Sequence, residues 1–172
     1  VKQDFVACAQ CHTEGADWLK KQVFTIQERT ISLLNRAGYA NAVVAKLFEF
    51  ANGQAAKGIK IDQGLYVRAK DYYMQAFLRL VFISAENSCG FHNSTEAGRI
   101  LGDSISFANR AEIILRKAFS DAGIKVPESV NLELGKYLKD RGKNKRNFRP
   151  EQEFHDPYDN QKYFTDKDAK GI

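Results

Sequence analysis

Leu19, Val23, Ile26, Thr30, Leu33, Ala37, Ala40, Val44, Leu47 and Ala51 step along the chain in alternating fours and threes without a break. That is the spacing of a helix seam, not the alternation of a strand, and it decides the fold class as all-α. Asp17 is the expected cap. Gly38 lies inside the run and costs about 1 kcal/mol against Ala, yet the register holds on both sides, so the pattern predicts one helix. A helix of about 35 residues is ~50 Å long, whereas a compact domain of this size has a radius of gyration of ~16 Å. It must therefore lie along something large: more of a bigger chain, a second copy, or both. Lys20, Gln27, Glu28, Arg36 and Asn41 are expected to keep the opposite face wet.

Outward from this helix, Asn52-Gly53 to Gly58 reads as a turn-rich break. Asp62 can cap a second helix running to about Asn87, with a wide apolar face from Leu65, Ala69, Tyr72, Tyr73, Ala76, Phe77, Leu80 and Ile83. Such a width implies burial against more than one neighbour, and the tyrosines read as packing residues. Gly90 breaks this helix. Asn93 with Glu96 forms a capping pair for a third, whose seam (Ala97, Leu101, Ser104, Ala108, Ala111, Leu115, Ala118, Ala122) is dominated by small residues and permits close approach. Gly123 and Val126-Pro127 end it. Two long heptad-patterned helices predict antiparallel bundling and a dimer.

On the N-terminal side stands Cys8-Ala9-Gln10-Cys11-His12, the attachment pattern of a c-type haem. Each thiol adds across one porphyrin vinyl group, and the adjacent imidazole serves as proximal iron ligand. The alternatives are weaker. A zinc site needs two more ligands, and only Cys89, His92 and His155 remain, none closely paired. A redox dithiol belongs at a strand-helix junction, which this pattern lacks. His92, between an aromatic residue and a helix cap, is the candidate second iron ligand; His155 reads as a surface residue.

The chain has 172 residues, 44% apolar and 27% charged, with 12 Phe and 7 Tyr and a formal net charge of +5. These are values of one globular domain. No stretch of eighteen consecutive apolar residues occurs, so no membrane span is expected. The chain lacks a signal peptide and does not begin with Met, so it reads as a processed or truncated product. Covalent haem attachment takes place outside the cytoplasm, which predicts a periplasmic compartment. Lys136, Lys139, Arg141, Lys143, Lys145, Arg146 and Arg149 form a basic run. It reads as a solvated tail or a docking strip for an acidic partner; nucleic acid is not an expected partner. The organisation expected is a haem attachment loop at 1–15, a long-helix bundle and dimer interface at 16–125, and an extended tail, rich in basic and aromatic residues, at 126–172.

Ser84-Ala85-Glu86-Asn87-Ser88-Cys89-Gly90-Phe91-His92-Asn93, with the haem motif about eighty residues upstream and a Trp18-Leu19-Lys20 helix start between them, resembles the C-terminal part of the ammonia-forming cytochrome c nitrite reductases. These are pentahaem periplasmic enzymes that reduce nitrite to ammonium with six electrons. The resemblance covers residues 1 to about 122 well and the tail loosely. It implies that Cys8, Cys11 and His12 hold the fifth haem, and that His92 is the distal ligand of the fourth. His12 and His92, which the local reading would put on one iron, would then serve two. It also implies a homodimer through the long helices, and electrons delivered by a quinol-oxidising membrane cytochrome or a soluble multihaem donor. The family's catalytic haem, its lysine ligand, the substrate-binding Arg, Tyr and His, and a calcium site all match nothing here. The chain then reads as the C-terminal portion of a longer enzyme or as one piece of a split one. The rivals are a free-standing monohaem carrier, part of an octahaem nitrite reductase, and a non-haem dimerisation module. Cys89 stands where the family more often has Met, and reads as a small apolar filler.

Overall fold

A computed structural model describes residues 5–126 and 128–132, and the architecture among them is all-α. A single helical turn, α1 (Val6–Ala9), leads into three long helices: α2 (Ala16–Ala56), α3 (Gln63–Ser84) and α4 (Ser94–Asp121). Helix α4 packs along both α2 and α3, which touch each other far less. The short connections between successive helices make neighbours antiparallel. The basic run, the aromatic tail and His155 lie outside the described residues.

Helix α2 has 41 residues, ~62 Å at ~1.5 Å per residue, and exceeds its expected length at the C-terminal end. The Asn52-Gly53 break does not occur. Both residues are helical, and the stop falls at Gly58, whose φ is +83°. The reason is local. The Gly58 N–H donates to the Ala55 carbonyl (2.9 Å) and the Ile59 N–H to the Gln54 carbonyl (3.1 Å), a closing pair that needs a left-handed residue. Helix α4 stops in the same way at Gly123, with Ile124 N–H donating to Phe119 and Gly123 N–H to Ser120. The N-cap of α2 is Gly15, with Asp17 inside the first turn. Asp62 and Asn93 cap as expected, their side chains accepting from the Leu65 and Glu96 amides (2.8 and 3.0 Å). Glu96 pairs with Arg99 instead of reaching back to Asn93. Helix α3 ends at Ser84, three residues short of Asn87.

Burial follows the heptad. Thr30, Ala37, Val44 and Ala51 are buried at seven-residue intervals in α2, as are Ala69, Ala76 and Ile83 in α3. In α4 every expected seam position from Ala97 to Ala118 is buried, together with Ile114 and Phe119. Small residues let the backbones approach. The fully buried Ser104 hydroxyl donates to the Ala76 carbonyl across the α3–α4 contact (2.8 Å) and accepts from Asn41 Nδ2 (3.1 Å). Asn41 is thus not on the wet face; it is buried and ties α2 to α4. One side of α3 is unexpected: Val67, Met74, Leu78, Val81 and Phe82 are exposed, and Phe77, assigned to the core stripe, joins them.

Two substitutions on α4 separate its packed seam from its exposed side. Ala108→Leu overfills the α4 contact and should cost about 1–3 kcal/mol, read as a fall in the thermal unfolding midpoint. Exposed Ile113→Ala should leave that midpoint nearly unchanged.

Candidate haem-binding site

The first site element is the turn that carries the cysteines. Residues 1–15 were expected as a loop, yet Val6–Ala9 is helical. The Cys11 and His12 amides both donate to the Cys8 carbonyl, at 3.1 and 3.0 Å. Residues three apart on a helical turn share one side of it, so the turn itself brings two thiols toward one edge of a planar group. Both thiols are free, Cys8 half-buried and Cys11 exposed. The His12 ring is about half exposed and lies 5.9 Å from the Trp18 ring. Its Nδ1 faces Glu14 Oε2 at 3.7 Å, which leaves Nε2 as the outward nitrogen.

The second element is the turn from Glu86 to His92, between α3 and α4. Cys89 and Gly90 are both left-handed, with φ of +51° and +78°. A side chain in that conformation costs about 1–2 kcal/mol, so something must hold Cys89 there. That group is Glu86. Its Oε1 accepts from the Ser88 amide (2.8 Å), and its Oε2 accepts from the Ser88 hydroxyl (2.6 Å) and the Gly90 amide (3.0 Å). The Ser88 hydroxyl in turn accepts from the His92 amide (3.2 Å). These donors, the Ser88 hydroxyl first, lower the Glu86 pKa to about 2 from its ordinary 4.5. The turn docks on α2, where Gln27 Nε2 donates to the Ser88 carbonyl (3.0 Å) and Gly90 is buried against Thr30. The His92 ring projects into solvent, with Nδ1 3.8 Å from Glu86 Oε1.

Between the two turns lies an open groove of about 690 Å3, lined by Phe5, Val6, Cys8, Val23, Phe91 and His92 among others. Cys8 and His92 therefore share one groove, while Cys11 and His12 lie outside its lining. Cys89 is half-buried and does not line it. Sequence reading put Gln27 on the wet face and Thr30 in the seam and gave neither of them, nor Glu86 or Ser88, a role in shaping this turn. The signal for them was a carboxylate two residues before a serine and four before a glycine, which only the folded turn makes meaningful.

These residues fit a haem. Two free thiols on one turn can form two thioethers, an exposed imidazole stands next to them, and exposed Val6, Trp18 and Phe91 offer apolar surface for a flat ring to cover. An all-α chain with this turn is that of a c-type cytochrome. The chain belongs to the cytochrome c552 family, whose model matches residues 1–170, and membership implies haem c as the cofactor. Among curated proteins it is 35% identical over 107 residues to the cytochrome c nitrite reductase subunit NrfA of Nitratidesulfovibrio vulgaris. That match covers 61% of this chain but 20% of the relative, so the chain spans about a fifth of the protein it resembles. Among the described residues no helix is long and apolar enough to cross a membrane.

Two outcomes test the second turn. A Cβ at Gly90 would overlap the Thr30 side chain, so Gly90→Ala should lower the unfolding midpoint, and adding Thr30→Ala should restore part of the loss. The low Glu86 pKa stabilises the fold fully above the ordinary value of 4.5, and this contribution is lost as pH falls from there toward about 2. Across that window Glu86→Gln should lose less stability than the parent, as followed by circular dichroism.

Proposed function

We propose that this chain is the C-terminal portion of a multihaem cytochrome c nitrite reductase, the enzyme that reduces nitrite to ammonium with six electrons. The observation that carries the reading is the pairing of a family match along almost the whole chain with a named reductase relative about three times its length. The catalytic haem, its lysine ligand and the calcium site then belong to the remainder of the enzyme. This segment contributes relay and assembly.

The residues divide that work. Cys8 and Cys11 form the thioethers, each thiol adding S–H across a vinyl double bond. His12 would hold the iron as proximal ligand, with Glu14 beside its Nδ1 leaving Nε2 for the metal. His92 reaches outward as distal ligand of a neighbouring haem attached to the upstream chain. Haem c, when bound, supplies a one-electron iron couple. Histidine on both sides of an iron leaves no position for nitrite, which suits relay and not turnover. Electrons arrive from a quinol-oxidising membrane cytochrome or a soluble multihaem donor, in the periplasm.

The assembly role falls to α3. Val67, Met74 and Val81 recur every seven residues, with Leu78 and Phe82 beside them, and all five are exposed. A second copy of the chain, meeting the same face, would bury this stripe and form the homodimer. A second reading draws on the shared groove: Cys8 and His92 line one cavity, as in a free-standing monohaem carrier with both histidines on one iron.

The intact mass of the natural polypeptide, denatured with covalent haem retained, tests the main reading. A much longer chain with five haems is the expected result. A mass of this segment plus one haem would favour the carrier. Leu78→Glu combined with Phe82→Glu should convert the enzyme to monomers in sedimentation velocity, without loss of covalent haem.

A further inference from the structure

We propose that Glu86 is the positioning residue of His92: its carboxylate holds the turn in the one shape that presents the imidazole outward, and takes the His92 Nδ1 proton in a hydrogen bond when Nε2 is on iron. The inference rests on His92 being an iron ligand, as proposed above.

The turn is organised around one carboxylate. Glu86 is the acceptor for the Ser88 amide, the Ser88 hydroxyl and the Gly90 amide. Amides converging from one tight turn, here those of Ser88 and Gly90, make a concavity for an anion, and Glu86 fills it from within the chain. The Ser88 hydroxyl relays this grip to the His92 backbone. The Ser88 carbonyl, held by Gln27, fixes the same turn to α2. The chain therefore locates the His92 Cα from two sides, while the ring itself stays in solvent.

Among the described residues, Glu86 is the carboxylate beside the ring. Glu86 Oε1 stands 3.8 Å from His92 Nδ1, a small ring rotation or one bridging water away from a hydrogen bond. A carboxylate on Nδ1 selects the tautomer with Nε2 free and makes that nitrogen a stronger donor to metal. A stronger imidazole donor favours the oxidised iron. Glu86 thus couples placement of the ligand to the poise of the haem it binds, from a helix-connecting turn that carries no haem of its own.

The test uses the full haem-loaded enzyme and reads the reduction potential and the electron paramagnetic resonance signal of each haem. Glu86→Gln should raise the potential of one haem and weaken its histidine ligation by roughly tenfold or more, with the others unmoved. Ser88→Ala keeps the carboxylate, so it should shift the g-values of that same haem by loosening the turn while leaving its potential near the parent's. His92→Ala identifies the haem by turning it high-spin. If His92→Ala leaves every haem low-spin, the ligand assignment itself fails. If His92→Ala acts but Glu86→Gln leaves that haem's potential unchanged, or Ser88→Ala raises it equally, Glu86 is no more than a turn brace and the proposal is overturned. Should Glu86→Gln fail to load its haems, the Ser88→Ala result decides alone: unshifted g-values at the His92 haem refute the positioning role.

Discussion

The close approach of α4 to its two neighbours is the constraint on which everything else depends. It exists because Ala69, Ala76, Ala97, Ala108 and Ala111 leave almost no side chain between the backbones. Only at that separation can the Ser104 hydroxyl reach a main-chain carbonyl on α3 and the Asn41 amide on α2 at once. A bulkier seam would move α3 outward and carry the Glu86–His92 turn with it. The placement of the exposed His92 ring is therefore set by buried methyl groups further along the bundle.

At the other end the logic changes from apolar packing to hydrogen bonding. From Ala16 to Arg29, Leu19 is the sole buried residue of α2. What joins this stretch to the rest is the Gln27 hydrogen bond to the Ser88 carbonyl, with Thr30 one step beyond it in close steric contact with Gly90. These contacts align the cysteine-bearing turn and the histidine-bearing turn along a common groove. The seam supplies stability, and the two turns supply registration.

The sequence disclosed the seams because a heptad is a one-dimensional signal: nearly every expected α4 position is buried. It misled where two signals competed. Asn52-Gly53 is a turn dipeptide by composition, but the helix continues until a glycine can close its last carbonyls, at Gly58. Asn41 was assigned to solvent by polarity and is buried because Ser104, sixty-three residues later, faces it. The cysteine motif stood out in the sequence since haem attachment would dictate its spacing. Glu86 was not, because a carboxylate that grips its own turn looks like any surface glutamate until the left-handed backbone at Cys89 and Gly90 is seen.

The sparse burial along the first part of α2 bears on the order in which the protein assembles. The α3–α4 hairpin has sequence-local contacts and an apolar seam, and such units form early. An isolated helical segment of fourteen residues is marginal in water, so residues 16–29 gain their order from what settles against them. The Cys8–His12 turn thus stays exposed while the α3–α4 core forms, and a covalent link made through its thiols would complete the fold instead of beginning it.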